Sequence, residues 1–445
     1  MNQLAWLGEV PKRWCVVKLR QILRPFSEKN HSELPLLSVV REKGVIVRNV
    51  ADKEENHNYV PEDLSGYKRV KRGQFAMNKM KAWQGSYGVS NYDGIVSPAY
   101  FVFDIDYDID YDFFNAAIRS KAYVNYFGQA SDGIRVGQWD LSMQRMKEIP
   151  FLVPPRDEQE QIVRFLDWKV SAINRLINIK HKGIVFLDEL KKSSCSRIVT
   201  QGLSECEMKS THNAWMPKVP RHWNEVKLRN ILKSFSEKNR PDLPLLSVVR
   251  EKGVIERNVE SKEENHNYIP DDLSNYKRVK KGQFAMNKMK AWQGSYGVSQ
   301  YDGIVSPAYF VFDIDYDIDH DFFNTAIRSK AYVSYFGQAS DGIRVGQWDL
   351  SMQRMKEISF FVPPYKEQQL IVKFLEKYIA KIDNWSNIIH EQIKHLQDLK
   401  ARLISDVVTG KIDVRGVEVP EVEFVDEAAG EEDFEVDNEL FGISE

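Results

Sequence analysis

The chain repeats itself. A shift of 209 residues places Trp14 on Trp223, Lys79 on Lys288, Trp139 on Trp348 and Thr200 on Thr409, without insertion or deletion. Between residues 34–153 and 243–362, only 13 of 120 positions differ. Any fold that suits one half must suit the other. Cores tolerate many hydrophobic exchanges when volume and pattern are kept, so folding alone does not hold two copies this close, surface included. The two units are expected to bind the same thing twice, and the target is expected to be a repeated object.

Each repeat reads as two parts. The first, about 150 residues long, mixes strand-like runs such as Leu34–Val40 and Ser97–Ile105 with punctuating glycines at 73, 85, 88, 94, 128 and 133. A helix is expected after Asp110. This part predicts a compact α+β domain rich in loops. The second part follows Pro154-Pro155 and Pro363-Pro364 and runs on without proline. Apolar residues fall at Leu166, Val170, Ile173, Ile177, Ile184, Leu187 and Ile198. In the second copy they fall at Leu375, Ile379, Ile382, Ile389, Ile393, Leu396, Leu403 and Val407. Steps of three and four make the seam of a coiled coil. Prolines mark the start, and Gly202 and Gly410 the stop. Two long helices with matched seams are expected to pair. The short polar connector at 203–214 favours antiparallel pairing, because the second domain begins where the first helix ends.

Composition narrows the class. No apolar run is long enough to span a membrane, and the first residues lack a signal-peptide pattern. Cys15, Cys195 and Cys206 are far apart and show no metal-ligand spacing, which fits a cytoplasmic setting. The net charge of −2 hides an asymmetry. Residues 414–445 hold 12 acidic residues and one basic one, so the remainder carries +9. The acidic stretch 411–445 is expected to be disordered. A moderately basic body is compatible with a nucleic-acid partner.

No catalytic constellation stands out. There is no phosphate-binding loop of Walker type and no glycine-rich motif for a methyl donor. Val362-Pro363-Pro364-Tyr365 lacks the polar residue of the amino-methyltransferase motif and reads as a helix start. Asp104 to Asp112 looks like a carboxylate cluster, but Ile109 stands where a calcium loop needs glycine. A helix capped by Asp110 explains it better. His57 and His266 have no nucleophilic or metal-binding companion.

The informative segment is Tyr67 to Tyr92. It holds Lys68, Arg69, Lys71, Arg72, Lys79 and Lys81, with no acid, interleaved with Asn78, Trp83, Gln84 and Tyr87. Lysine and arginine neutralise phosphates, while Gln, Asn and Arg make paired hydrogen bonds to base edges. The second copy keeps the segment from Tyr276 to Tyr301 with only two changes. A second candidate is the glycine-flanked loop 128–140, which offers Ser131, Arg135 and Gln138.

These residues resemble those of a known family, the specificity subunits of type I restriction–modification enzymes. The likeness rests on Val10-Pro-Lys-Arg-Trp14, repeated at Val219-Pro-Arg-His-Trp223. It rests also on Gly133-Ile-Arg135 leading into Ile149–Pro155, and on the pair Glu158-Gln159 with Ile162, matched by Glu367-Gln368 with Ile371. The resemblance implies an α+β fold with two target recognition domains, at 1–154 and 215–363. Spacer helices at 155–202 and 364–410 would form an antiparallel coiled coil with an approximate twofold axis. It implies double-stranded DNA as ligand, with two methyltransferase subunits as partners that modify adenine and use S-adenosylmethionine. Two restriction/translocase subunits using ATP and Mg would be able to join. The chain itself would bind no cofactor and catalyse nothing. Expected DNA contacts are Arg41, Lys79, Lys81, Trp83, Gln84, Ser86, Tyr87, Arg135 and Gln138, with their counterparts Arg250, Lys288, Lys290, Trp292, Gln293, Ser295, Tyr296, Arg344 and Gln347. Family members in general have two different domains and read two different half-sites. The near-identical domains here imply an inverted repeat. The rival reading is a duplicated scaffold that holds two protein ligands and binds no DNA.

Overall fold

A computed structural model describes residues 10–48, 60–135, 138–213, 216–250, 252–257, 269–270, 272–344 and 347–427. His57 and His266 lie outside these residues. The chain divides into two compact units. One joins residues up to Lys182 with the stretch from His390, and the other runs from Gly183 to Ile389.

The same α+β scaffold is built in both repeats. In the first, a four-stranded antiparallel sheet has the spatial order Leu23–Phe26, Tyr100–Ile105, Phe75–Asn78, Tyr87–Val89. Its central strand Phe75–Asn78 is buried along its whole length, because both faces are covered. Phe75 and Phe103 face helices Tyr111–Ile118 and Lys121–Ala130, in one cluster with Phe113, Phe114 and Phe127. Ala76 and Val102 face the other way, against Leu37, Val39 and Val45 of the hairpin Leu37–Val40/Gly44–Val47. The strand alternation that sends neighbours to opposite faces thus supplies two cores from one sheet. The carboxylate-rich stretch is structural. Asp104 accepts from Gln74 Nε2 at 2.6 Å, Asp106 pairs with Arg24, and Asp110 caps its helix by accepting from Asp112 N and Phe113 N, both at 3.0 Å.

The domain closes on itself before the long helix leaves it. Strand Cys15–Lys18 pairs antiparallel with Pro150–Val153, so the two ends of the domain lie side by side. Helix Arg156–Gln201 begins directly after Pro155, and Tyr365–Val408 directly after Pro364. The Glu-Gln pair at each start has a mechanical role. Gln159, 1% exposed, donates to Pro154 O at 2.8 Å and accepts from Asp110 N at 2.8 Å, which ties the long helix to the capped one. Gln368 repeats both bonds with Pro363 and Asp319.

Within each unit the two long helices pair antiparallel, as expected. In the first unit Asn174 meets Lys400 and Lys180 meets Gln392, so one number rises as the other falls. In the second, Lys191 meets Asp383 and Ser194 meets Tyr378 in the same sense. The seam residues Leu166, Ile173, Ile177, Ile184, Leu375, Ile382, Ile393 and Val407 are all buried.

Two segments depart from expectation. The connector is not plain coil: Met208–Ser210 pairs with Lys218–Pro220 in a hairpin, and Met216 and Val219 enter the second core. The acidic tail is likewise ordered by contacts as far as residue 427. Val414 is buried with Phe165 and Leu166, and Val417 and Val419 pack on the same cluster. Gln161 Nε2 donates to Val414 O and Val417 O at 3.1 and 2.7 Å. Ser171 and Asn174 satisfy both backbone groups of Val425. Composition predicts disorder when a segment cannot bury enough of itself. Here the first helix supplies the missing partner surface.

Candidate nucleic-acid interface

The basic segment does not form a single face. Its first three cations hold the fold together. Lys68 Nζ donates to Tyr100 O at 2.7 Å. Arg69 and Lys71 both pair with Glu28, at 2.9 and 3.2 Å, and Lys71 also stands 4.8 Å above the Phe26 ring. The Arg69 hydrogen bond, followed by that from Lys71, pulls the Glu28 carboxyl down to about 2. The second repeat copies the arrangement through Arg278, Lys280 and Glu237.

Lys79 and Lys81 belong to a projecting turn. After the buried strand Phe75–Asn78, the chain forms the 3-10 helix Lys79–Gln84. Asn78 caps it by accepting from Met80 N at 3.2 Å, and Gly85 ends it at φ 91°, a conformation that favours glycine. A side chain at Gly85 would also press on Val124, 3.1 Å away. In the second repeat regular 3-10 geometry is confined to Ala291–Gln293, with the same glycine stop at Gly294. Lys81 and Lys290 are exposed, while Lys79, Lys288, Trp83, Trp292, Gln84 and Gln293 are half-buried. Burial, then the nearby charges of Lys29 and Lys79, push the Lys68 amine below its ordinary value, and Lys238 and Lys288 act in the same way on Lys277.

The two expected segments meet. Leu141 N donates to Lys79 O at 3.3 Å, and Leu350 N to Lys288 O at 3.2 Å. The turn therefore abuts the hairpin Asp132–Arg135/Gln138–Asp140, in which Arg135 stands opposite Gln138. Arg344 stands opposite Gln347 in the second copy. Arg41 occupies a different hairpin tip. It is exposed and pairs with Glu42 at 3.8 Å. Its backbone carbonyl and that of Glu42 both accept from Arg119 Nη2, at 3.0 and 2.8 Å. Arg250 is likewise exposed, with its carbonyl held by Arg328.

Four expected contacts are corrected. Tyr87 and Tyr296 are 0% exposed and pack at a tilt against Phe127 and Phe336, at 4.7 and 4.8 Å between ring centres. Ser86 and Ser295 are buried, and the Ser86 backbone closes the turn through bonds to Lys81 and Asn78. These residues shape the turn from beneath and cannot touch a duplex in this conformation. Ser131 is also buried, donating to Phe127 O at 2.8 Å. Three residues escaped the sequence reading. Met80 and Met289, each 56% exposed, sit between the turn's lysines. The Asn78 cap that turns them outward could have signalled it. Arg119 pins the Arg41 hairpin, and no local pattern announces a bond spanning 78 residues.

Among the described residues no cluster of His, Cys, Asp or Glu could hold a metal ion. A basic turn beside a hairpin, presented twice, offers surface for binding.

Residues 220–395 match the family model for the type I restriction modification DNA specificity domain. The chain is similar to the specificity subunits of type I restriction–modification enzymes. The putative type I restriction enzyme MjaX specificity subunit of Methanocaldococcus jannaschii is 22% identical over 285 residues, 63% of this chain and 63% of that protein. The match thus spans less than two thirds of that relative's length. A chain from a structural study of type I R-M complex assembly and conformational transition superposes with a TM-score of 0.58 at 12% identity, covering 91% of this chain and 100% of that one. The HsdS subunit of Thermoanaerobacter tengcongensis gives a TM-score of 0.45 at 12% identity, over 91% of this chain and 98% of that one. The matched region of the chain holds the second turn, its hairpin and most of its long helix. The first repeat has the same elements in the same order.

Proposed function

We propose that this chain is the specificity subunit and DNA-recognition component of a type I restriction–modification complex and reads a bipartite target whose halves form an inverted repeat. The observation that carries this reading is the duplicated turn: Lys79–Gln84 and Lys288–Gln293 are identical in sequence and abut identical hairpins. Antiparallel pairing of the long helices supports opposite polarity for the two half-sites. In this reading 1–154 and 215–363 are recognition domains, and 155–202 and 364–410 are spacer helices that set an unread gap. The chain positions two methyltransferase subunits, whose S-adenosylmethionine supplies the methyl group for adenine. It catalyses nothing itself and works in the cytoplasm. Restriction subunits with ATP and Mg join the same complex where cleavage occurs. Lys79, Lys81 and their counterparts neutralise phosphates. Gln84, Arg135 and Gln138, with Gln293, Arg344 and Gln347, are the candidates for base edges.

Methylome sequencing of a host expressing the chain with its methyltransferase tests the proposal. The expected result is methylated adenine in a palindromic motif with an unspecified centre. An asymmetric motif overturns the inverted-repeat reading, and salt-insensitive association without DNA preference overturns DNA recognition itself.

A further inference from the structure

Each repeat holds an arginine that reaches past its core to grip a loop. Arg119 follows helix Tyr111–Ile118 as its C-cap. Its Nη2 donates to the carbonyls of Arg41 and Glu42, at the tip of the hairpin Leu37–Val40/Gly44–Val47. Its Nε is shut off from solvent and has no hydrogen-bond partner among the described residues. A guanidinium buried and left partly unsatisfied costs free energy, so packing alone does not explain it. In the second repeat Arg328 grips Arg250 O in the same way, at 3.0 Å.

The backbone is shaped around this side chain. Gly44 has φ 72°, and a Cβ there would lie 2.9 Å from Arg119 Nη1. A Cβ on Gly88 would lie 3.4 Å from Arg119 Cδ and 3.5 Å from Gly44 Cα. Gly253 and Gly297 leave the same room around Arg328, with 3.2 and 3.6 Å to its Nη1 and Cδ. One turn before Arg119, Asn115 Oδ1 accepts from Val89 N at 3.0 Å, and Asn324 does the same for Val298 at 2.9 Å. The end of one helix thus fixes both the strand Tyr87–Val89 and the hairpin tip.

Both fixed elements lead to cations. The strand Tyr87–Val89 begins two residues after Gly85, which ends the turn Lys79–Gln84. Gly88 is three residues past Gly85, about 10 Å of extended chain, or about three base-pair rises of a duplex. The tip resting against Gly88 exposes Arg41 and Lys43, and its counterpart exposes Arg250 and Lys252. Each repeat so presents two cationic elements side by side.

We propose that Arg119 and Arg328 are positioning residues for DNA recognition: each holds its hairpin tip beside the basic turn, so that the cations of tip and turn meet phosphates in register. This rests on the DNA-recognition reading above. Arg119→Lys with Arg328→Lys tests it, because lysine keeps the charge but lacks the planar fork. Anisotropy titrations over a salt series, with the methyltransferase partner present, should show duplex binding at least fivefold weaker. The slope of log affinity against log salt should also fall, although no charge is lost. Arg41→Ala with Arg250→Ala, on the exposed tips, should weaken binding as well, and the quadruple variant should bind within twofold of the weaker pair. A lysine pair that keeps the parent's affinity or slope overturns the proposal. So does an alanine pair that binds like the parent, or losses that multiply in the quadruple variant. Should the lysine pair not fold, Gly44→Ala with Gly253→Ala crowds the same guanidinium groups and takes its place, with the same outcomes. A parent complex that binds no duplex overturns the DNA reading, and this proposal with it.

Discussion

Trp14 donates its indole N–H to Glu158 Oε1 at 3.0 Å across 144 residues of sequence, and Trp223 makes the same bond to Glu367 at 3.1 Å. The tryptophan opens each domain and the glutamate opens each long helix, so this bond fixes how the helix leaves its domain. Glu158 is 7% exposed, and losing its donor leaves a buried carboxylate short of a partner. Trp14→Phe should cost about 2 kcal/mol. Trp223→Phe should cost less, because His222 Nε2 also reaches Glu367, at 2.7 Å. Urea denaturation of the two variants checks the order. Equal losses would refute the assigned role of His222.

Charge and burial divide the basic segment into residues that face solvent and residues that do not. Lys81→Ala or Lys290→Ala should weaken duplex binding and lower the slope of log affinity against log salt by about one each. Tyr87→Phe should leave binding unchanged, because its hydroxyl is buried and has no hydrogen-bond partner among the described residues. Anisotropy titrations over a salt series, with the methyltransferase partner present, measure both. A Tyr87→Phe defect larger than that of Lys81→Ala would reverse the assignment.

The Glu28 cluster predicts a pH dependence. Its carboxyl is held at about 2, below the ordinary 4.5, so the folded state binds a proton less readily than the unfolded chain. The sign follows by linkage: the stabilisation is complete above the ordinary value and is lost as pH falls toward 2. Glu28→Gln should therefore lower the melting temperature at neutral pH and narrow its difference from the parent as pH drops from 5 to 2.5. A constant difference across that range would contradict the pairing with Arg69 and Lys71.

Gly410 ends the second helix at φ 75°, and a Cβ there would lie 2.5 Å from Pro11 Cγ. Both backbone and space exclude a side chain. Gly410→Ala should destabilise the first unit by about 2 kcal/mol or more, whereas Gly416→Ala, with nothing within 4 Å, should be near neutral. Hydrogen exchange in peptides spanning residues 10–20 and 400–410 should rise in the first variant alone.

The repeat, the helix starts after Pro155 and Pro364, the Asp110 cap and the antiparallel seam were all legible, because each follows from local spacing or from comparing the chain with itself. The burial of Tyr87 was not. It stands one residue after Ser86 in a stretch whose polarity suggests surface, and only the Phe127 ring, 40 positions on, draws it inward. Arg69 and Lys71 looked like free cations because Glu28 lies 41 residues from the first of them. Residues 414–427 were misread for the same kind of reason. Their composition is that of a disordered segment, and the groups that satisfy them, Gln161 and Asn174, belong to a helix some 250 residues earlier.

Gly183 lies inside the 46-residue helix Arg156–Gln201, at the residue where the two compact units divide. A methyl group there would meet Ile389 Cδ1 at an ordinary 3.8 Å, so space does not require glycine. The corresponding residue of the other helix is Gln392. Glycine gives up about 1 kcal/mol of local helix stability relative to alanine. If the helix serves as a ruler, this is where the ruler yields under load. Gly183→Ala would then stiffen it, and a stiffer ruler tolerates fewer errors in the number of base pairs it spans.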